Sequence, residues 1–392
     1  MKILHLFANW KWTGPADPAL SLAAWQAESH EVLFLSGTGP DGQESRIQPF
    51  VDQRGVRSLP GLNLSKHARW RANRVDVRRL CRVLRDWRPD VVHTHLDNDH
   101  RVASLALRRA PGALLVRSVY DPTGLSGGFR TKRLARRALD GLIACTQAAR
   151  QATLDAYGGS THSLSVSGQA RPLRLIECGV DRERFDAARY DREAARRRLE
   201  LQPDEVGVGI VARVQPHRRF EILLEAAEAV ARKLPQFRLL VIGRGTHIER
   251  VLHEPVRARG LQNVVRSVGY LAGDEYPAVL PGLDASVFLV PGSDGTCRAL
   301  REQMALGLAP LVTTRTPLPE IVDEGNAGLV CEESAEGLVD GLLRLVSDTG
   351  LRERLGRGAA TAAAKRFDGA TQTAKVLEFY DELLSERARA GN

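Results

Sequence analysis

The chain has 392 residues, of which 43% are hydrophobic, and this length exceeds what one hydrophobic core usually organises, so we expect two domains. Its apolar runs are far shorter than the roughly 20 residues that a bilayer crossing needs, and its start, MKILHLFANWKW, lacks a small-residue cleavage site, which predicts a cytoplasmic protein. The net charge of +9 arises in residues 1–190, which hold 29 Lys/Arg against 18 Asp/Glu. The five cysteines lack the spacing of zinc ligands.

Short apolar runs alternate with helical patterns along the first half of the chain. The runs that we interpret as strands are KILHLFA, HEVLFLS, VVHTH, ALLVRSVY, GLIACT and RLIECG. Between them lie segments such as residues 76–87, in which apolar side chains recur at helical spacing. Apolar strands joined by helical crossovers predict a parallel sheet with helices on both faces.

Residues 66–88 form the most basic segment, with nine basic residues against two acids, and a second basic cluster follows at residues 130–137. Such a surface favours an anionic partner. No nucleic-acid-binding motif accompanies the charge, so an anionic membrane face or a phosphate-bearing acceptor fits better than nucleic acid. The alternative is a solvated helix face whose apolar residues, among them Leu80 and Leu84, pack on the sheet.

The segment HTHLDNDH, residues 93–100, places Asp97 and Asp99 directly after a predicted strand. Their D-x-D spacing is typical of some metal-dependent transferases. Because the segment belongs to the first domain, we favour two other interpretations. His95, Asp97 and Asp99 either line the acceptor side of a site or cap the following helix.

A charged stretch at residues 181–202 interrupts the pattern, and the alternation then restarts with VGVGIVARV, FRLLVIG, VVRSVG, ASVFLVP, APLVTT and GLVC. We therefore predict an α/β protein with two doubly wound, Rossmann-like parallel sheets facing a cleft. The predicted domains are residues 1–185 and 186–370, followed by a helix over 371–392 that belongs to either domain. Parallel sheets bind ligands beyond the carboxyl ends of their strands, so the residues that follow strands are the candidates.

Three such places in the second half carry arginine or glycine. Arg213 ends a strand and Arg218 precedes a helix, and two guanidiniums there can neutralise a diphosphate. In the turn VIGRGTH, Gly243 and Gly245 let the backbone approach a ligand closely. A third place, residues 269–271 (Gly269, Tyr270 and Leu271), offers backbone groups to a base.

The fourth place, PGSDGTCRALREQMALGLAP, is the most specific. A strand ends at Pro291, a turn carries Asp294 and Gly295, and a helix then begins. Helix starts favour phosphate and sugar oxygens. Asp294 precedes Glu302 by eight residues, so both carboxylates can face one elongated polar ligand. The alternative is that Asp294 caps the helix and that Glu302 faces solvent.

This half of the chain resembles the nucleotide-binding domain of glycosyltransferase family 4, the retaining enzymes of GT-B architecture. The family's arginine, its basic residue five positions on, and its two acids before an A-M-A-x-G-x-P motif match Arg213, Arg218, Asp294, Glu302 and MALGLAP. In the first half, MKILHLF, VVHTH, SVYD and IECGVDRERF resemble the family's first and fourth strands, its T-x-H-D segment and its hinge.

The resemblance implies a retaining transfer from a nucleotide diphosphate sugar to a sugar or lipid-linked acceptor, in envelope glycan or polysaccharide assembly. It implies no cofactor and no metal, because the leaving phosphate takes the acceptor proton and the arginines stabilise its charge. Arg213 and Arg218 would hold the diphosphate, and Glu302 the ribose. The sugar would contact Asp294, Gly295, Thr296 and Cys297. Gly14 would let the first loop approach the phosphate, and Asp121 would line the acceptor side.

The sequence departs from the family pattern at several positions. Asp294 stands where glutamate is usual, Pro15 follows Gly14 in the usual Gly-Gly turn, and Cys178 replaces the hinge asparagine. Tyr120 takes the position of the active-site histidine, so the resemblance makes it a catalytic candidate together with Asp294, Arg213 and Arg218, although a phenol cannot act as an imidazole would. These changes motivate the alternative of a catalytically silent binding subunit of the same fold that partners an active enzyme. The retained Arg213, Arg218 and Glu302 favour the enzyme.

Overall fold

A computed structural model describes residues 1–39, 43–125, 128–166, 169–292, 295–323 and 325–391. The chain divides into two compact units. Unit 1 comprises Met1–Gly179, Ser293–Thr296 and Gly369–Asn392, and unit 2 comprises Val180–Gly292 and Cys297–Asp368.

Unit 1 is built on an eight-stranded sheet. Its strands are β1 (Lys2–Phe7), β2 (Glu31–Ser36), β3 (Val91–Thr94), β4 (Leu114–Val119), β5 (Gly141–Ala144), β6 (Gly159–Ser160), β7 (Ser163–Val166) and β8 (Gln169–Leu175). They lie in the order β2-β1-β3-β4-β5-β8-β7-β6. The five pairings from β2 to β8 are parallel, and β8-β7 and β7-β6 are antiparallel.

Six helices accompany these strands in the chain. They are α1 (Ala16–Ala27), α2 (Gln48–Gln53), α3 (Trp70–Trp87), α4 (Asp97–Leu107), α5 (Phe129–Ala138) and α6 (Gln147–Tyr157). Because side chains alternate along a strand, β1 places Ile3 and Phe7 in the core layer shared with α1, and Leu4 and Leu6 in the layer shared with α3 and α4. Both faces of the sheet are therefore covered, as the apolar strands predict.

Unit 2 holds a six-stranded sheet in which every pairing is parallel. Its strands are β9 (Val206–Val211), β10 (Phe237–Ile242), β11 (Val265–Gly269), β12 (Ala285–Phe288), β13 (Ala309–Thr313) and β14 (Leu329–Cys331). Their order, β11-β10-β9-β12-β13-β14, reverses direction beside β9, which is the topological switch point of a doubly wound sheet.

The helices of unit 2 lie on both faces of this sheet. They are α7 (Arg192–Arg198), α8 (Phe220–Lys233), α9 (Glu254–Ala258), α10 (Glu275–Val279), α11 (Arg298–Ala305), α12 (Leu318–Val322), α13 (Ala335–Ser347) and α14 (Thr349–Arg366). One core layer packs α8 and α13 on the sheet, and the other packs α11 and α14. The prediction of two parallel-sheet α/β domains is confirmed.

The last helix, α15 (Gly369–Gly391), counts with unit 1. Its buried residues Val376, Phe379 and Tyr380 join the core layer of α1 and β1. Among the helices of the described ranges, none has the length and apolar character needed to cross a membrane.

One predicted strand is displaced. RLIECG, residues 174–179, was expected to be a strand, whereas β8 runs from Gln169 to Leu175 and pairs antiparallel with β7. The sequence QARPLRL lacks a continuous apolar run, because most of this strand is half-buried or exposed and, among its residues 170–175, only Leu173 is buried.

Candidate functional site

The carboxyl ends of the unit 2 strands bring the predicted arginine and glycine loops together. The loop after β9 lies against the loop after β10 through hydrogen bonds from Ala212 N to Ile242 O (3.2 Å) and from Val214 N to Arg244 O (3.2 Å). Gly243 N in turn donates to Gly269 O at 2.8 Å. Three loops distant in sequence thus form one continuous edge.

The glycines of the VIGRGTH turn are required by this packing. A Cβ at Gly243 would lie 2.0 Å from the carbonyl oxygen of Ala212, and one at Gly245 would lie 1.8 Å from that of Val214. Gly243 also has φ +153°. The close approach that the sequence predicted is therefore an approach of two backbone loops within the protein, and an approach to a ligand stays a prediction.

The two predicted arginines differ in their surroundings. Arg213 is exposed in the loop after β9. Arg218 ends a short 3-10 turn and is half-buried, and its guanidinium donates to the carbonyl oxygens of Val290 (3.3 Å) and Pro291, beyond β12. Arg218 therefore joins the loop after β9 to the loop that leads into α11, while Arg213 presents its charge to solvent.

A third arginine, which the sequence analysis missed, lies at the same edge. The guanidinium of Arg244 sits 4.1 Å from the ring centroid of Tyr270, whose side chain is 57% exposed. The two glycines of the G-R-G segment indicate a tight turn, and the same turn holds Arg244 at the edge. The neighbouring Leu271 instead packs against the core layer of α11.

The segment before α11 contains the predicted sugar loop. Asp294 lies outside the described residues. Gly295 has φ +68° and counts with unit 1, where an added Cβ would lie 2.2 Å from Cδ of Pro122. Thr296 is buried, and Cys297, with φ +51°, precedes the helix.

Glu302 on α11 is buried, which rules out the interpretation of a solvent-facing residue. Its Oε1 lies 3.4 Å from Nε of Arg298. Burial, with the charge of Glu302 adding to it, raises the pKa of the neighbouring Tyr276 hydroxyl well above its usual value. A buried carboxylate beside a neutral phenol is suited to accept hydrogen bonds from hydroxyl groups of a ligand.

In unit 1, three buried histidines meet near the carboxyl edge of the sheet. His5 Nε2 donates to Gln26 Oε1 at 2.7 Å, so His5 Nδ1 accepts from His95 Nε2 at 3.0 Å. Nδ1 of His95 then accepts from the hydroxyl of Tyr120 at 2.6 Å. Beside this chain, His93 bonds to Tyr380 on α15 (2.5 Å) and to Ser118 on β4 (2.8 Å).

Burial keeps these groups neutral. It lowers the pKa of His5 to about 4, and it lowers the pKa values of His93 and His95 well below the usual 6.5, with the neighbouring histidines adding to the effect. Burial likewise raises the pKa of Tyr120 well above 10. The cluster is a neutral hydrogen-bonded network at neutral pH.

Within the described part of the chain, His5, His93 and His95 are also the group whose side chains could offer three ligand atoms to a metal ion, within 4.8 Å of one another. All six ring nitrogens already have a protein partner. The nearly coplanar rings of His5 and His95, 12° apart, point their nitrogens at each other as in an N–H···N hydrogen bond. A metal ion here would have to break these bonds, so the geometry favours the network.

The structure changes the role expected for Tyr120. Its hydroxyl points into the core and binds His95, so it cannot act on a ligand as the catalytic histidine of the family position would. This geometry argues against the predicted catalytic role of Tyr120 and makes it a member of the buried histidine network. His95, which was expected on the acceptor side, is buried in the same network.

The two acids of the D-x-D segment, Asp97 and Asp99, contact groups of unit 1 itself. Asp99 caps α4 through Leu96 N (2.9 Å) and also accepts from Ala8 N (3.0 Å), and burial raises its pKa to about 7. Exposed Asp97 pairs with Arg117 at 2.5 Å. The capping interpretation therefore holds for Asp99, and the two acids of the D-x-D segment bind different partners.

Two other predicted residues lie in loops at this edge. Exposed Asp121 accepts from the backbone N (2.9 Å) and the hydroxyl (2.7 Å) of Thr123, which organises the loop after β4. Gly14 lies in the turn that Ala16 N closes on Thr13 O (2.9 Å), just before α1.

Comparisons with known proteins identify a glycosyltransferase family. Family models described as Glycosyltransferase Family 4 and Glycosyl transferases group 1 match residues 19–184 and 191–362. The D-inositol 3-phosphate glycosyltransferase of Salinispora arenicola is 28% identical over 330 residues, covering 76% of this chain and 69% of that protein. Two similar proteins of that description are matched over 64% and 55% of their lengths.

A glycogen synthase of Mycobacterium tuberculosis is 27% identical over 390 residues, covering 91% of this chain and 88% of that protein. Among solved structures, Anabaena Alr3699/HepE in complex with UDP and glucose is similar with a TM-score of 0.77 and 19% identity, covering 97% of this chain and all of that chain. The structural likeness establishes the fold.

We expect Gly245→Ala to destabilise unit 2, because its Cβ would meet the Val214 carbonyl at 1.8 Å and force the two loops apart. Overpacking of this kind costs roughly 1–3 kcal/mol. Urea unfolding measures the loss. The matched control is Gly350→Ala on α14, whose nearest neighbour, at 3.4 Å, leaves room for a methyl group. Equal stability of both variants would contradict the packing role of Gly245.

The histidine network predicts a pH-dependent stability. Since burial lowers the folded-state pKa of His5 from 6.5 to about 4, its contribution to stability is present above pH 6.5 and is lost as the pH falls through 4. We expect the free energy of unfolding to fall as the pH is lowered through this window. His5→Gln should reduce the slope of that free energy against pH by the amount that corresponds to about one proton. Urea unfolding between pH 7 and pH 4.5 measures it. An unchanged slope in His5→Gln, with exposed His162→Gln as control, would contradict the assignment.

Proposed function

Since the chain belongs to glycosyltransferase family 4 and has two parallel-sheet domains, we propose that it is a retaining glycosyltransferase that moves a sugar from a nucleotide diphosphate sugar to a sugar or lipid-linked acceptor, in envelope glycan or polysaccharide assembly. The observation that carries the proposal is the carboxyl edge of unit 2. There Arg213 and Arg244 are exposed on hydrogen-bonded loops, and Arg218 ties the next loop to them.

The arginines supply the charge that the donor needs. A nucleoside diphosphate leaves with additional negative charge on its terminal phosphate, and guanidiniums stabilise that charge through bidentate hydrogen bonds. In the described part of the chain, neither Arg213 nor Arg244 has a carboxylate within 4.0 Å, so their charge is available to an anion. We assign Arg213 and Arg218 to the diphosphate and propose that the reaction needs no metal ion or cofactor.

The remaining donor contacts follow the same edge. The loops at Gly243, Gly245 and Gly269 lie beside the arginines and would receive the nucleoside, and the exposed face of Tyr270 is available to stack with a base. Buried Glu302 would accept hydrogen bonds from the ribose hydroxyls. Asp294, with Gly295, Thr296 and Cys297, keeps its proposed role toward the sugar hydroxyls.

The proposed step balances without a catalytic base from the protein. The acceptor hydroxyl attacks the anomeric carbon on the face from which the phosphate departs, the bond to the phosphate oxygen breaks, and the acceptor proton passes to that oxygen. The new glycosidic bond therefore keeps the donor's anomeric configuration. Protein groups position the two substrates and stabilise charge, which agrees with a Tyr120 hydroxyl that is turned into the core.

A silent binding subunit of the same fold remains the second candidate, because Tyr120 stands at the family's histidine position and its hydroxyl is bonded to His95. Purified protein that hydrolyses or transfers the sugar of a donor would support the enzyme. Donor binding without any turnover, tested across several acceptors, would support the silent subunit.

We expect Arg213→Ala to weaken donor binding about 10-fold or more, since it removes a charge-assisted contact of roughly 1.5–3 kcal/mol, with little change in thermal stability because Arg213 is exposed. Arg218→Ala should weaken binding and also lower stability, because the carbonyls of Val290 and Pro291 lose their donor. Thermal shift with a panel of UDP-, GDP- and ADP-sugars measures both effects. The control is Arg354→Ala, an exposed arginine on α14. Parental donor affinity in both test variants would contradict the assignment.

Transfer should persist in EDTA, because arginines take the place of a divalent ion at the leaving group. The measurement is initial rate of donor consumption before and after chelation. Complete loss of activity that manganese or magnesium restores would overturn the metal-free mechanism and revive the metal interpretation of Asp97 and Asp99.

A further inference from the structure

Unit 1 carries a groove of about 720 Å³ between α3 and α4, away from the histidine network. Its walls carry four arginines, namely Arg74 and Arg78 from α3, Arg101 from α4, and Arg109, which lies two residues beyond the end of α4. Val77 and Leu105 line it between them, and Trp70 stands at one end. The groove thus joins an apolar lining to basic walls.

The positive charge of the groove is unbalanced. Among the described residues, no carboxylate lies within 4.0 Å of any of the four arginines. Helix α3 has two acids, and one of them, Asp76, is buried and holds the backbone of Asn63 (2.8 Å) and Leu64 (3.0 Å). The other, Asp86, lies near the far end of the helix and does not line the groove. An anionic ligand would therefore meet no competing carboxylate.

The apolar part of the groove is held in a fixed geometry. The side-chain amides of Asn73 on α3 and Asn98 on α4 bond to each other at 2.7 and 3.2 Å, which fixes the two helices side by side. Trp70 is 66% exposed, and the guanidiniums of Arg71 and Arg74 lie 5.3 and 6.0 Å from its ring centroid. An exposed indole edged by arginines is suited to the interface between lipid headgroups and acyl chains.

We propose that this groove binds an anionic membrane phospholipid, with the phosphate between the arginine walls and the first acyl carbons on Trp70 and Leu105, above the almost fully buried Val77. The proposal rests on the proposed function, because the protein would meet a lipid-linked acceptor at a membrane. A nucleic acid would use the same charge. Apart from the arginines, however, Val77 and Leu105 offer no hydrogen-bonding groups to bases, and the amide of Asn73 in the same lining is already bonded to Asn98, which favours the lipid.

Flotation with phosphatidylcholine vesicles, with and without phosphatidylglycerol, tests the proposal. We expect binding only to the anionic vesicles, falling as salt is added. The variant Arg78→Gln/Arg101→Gln, with one wall residue from each helix, should lower this binding at least about 10-fold. Trp70→Ala should lower it without a change in charge.

The matched control is Arg85→Gln/Arg108→Gln. It removes the same charge, with one arginine from α3 and one from the residue that follows α4, and both are exposed and outside the groove. Binding through the groove predicts a several-fold smaller loss in the control. Equal losses in the two variants would show that general surface charge is responsible and would overturn the groove. Binding to both vesicle types, or to neither, would overturn it as well.

Two further measurements separate the outcomes. A short-chain phosphatidic acid below its micelle concentration should bind the parent and not Arg78→Gln/Arg101→Gln, whereas a single-stranded RNA that competes fully for the same arginines would assign the groove to nucleic acid. Hydrolysis of a soluble donor should be unaffected in the groove variants. If the parent hydrolyses no donor and still binds anionic vesicles through the groove, the proposed function fails and the lipid site stands.

Discussion

Parallel pairing of the central strands is the constraint on which the candidate site depends. In unit 1, β1 pairs in parallel with both β2 and β3, so that Ile3 lies opposite Val32 on one side and Val91 on the other. In unit 2 every strand pairing is parallel. Because parallel strands all end at the same edge, side chains that are up to a hundred residues apart become neighbours there. At this edge, polar residues from several strands can therefore act on one ligand.

The same constraint decides which residue types the edge tolerates. Where the loops after β9 and β10 continue side by side, their backbones come so close that only glycine fits at Gly243 and Gly245. Where the register of β1 and β3 places His5 opposite His93, the two imidazoles enter one buried layer with His95. Neutral histidines bonded to Gln26, Ser118 and Tyr380 satisfy their polar atoms without a buried charge.

The sequence predicted the sheets well because strands buried on both faces are mostly continuous apolar runs, as in VGVGIV or the LLVI of FRLLVIG. It missed the hairpin of β7 and β8, whose half-exposed strands lack such a run. It also predicted that Arg213 and Arg218 follow a strand end and that Glu302 lies on a helix, as the structure has them, whereas the burial of Glu302 follows only from the packing of α11. The histidine network escaped it, since His5 and His93 meet only through strand pairing and the direction of the Tyr120 hydroxyl is set by His95.

Arginine serves two purposes in this chain, and ion pairing distinguishes them. Several arginines of unit 2 are neutralised inside the unit: Arg192 and Arg196 by Asp284, and Arg238 by Glu205. Such pairs stabilise the fold and leave no charge for a ligand. The arginines of the α3–α4 groove have no carboxylate within 4.0 Å among the described residues, and Asp76 on α3 is turned inward, where it accepts from Leu64 N. Positive charge that no protein group neutralises raises the free energy of the folded state, because like charges repel each other. An anionic partner outside the chain removes that cost, and this is the physical reason to regard both the donor edge and the α3–α4 groove as binding surfaces.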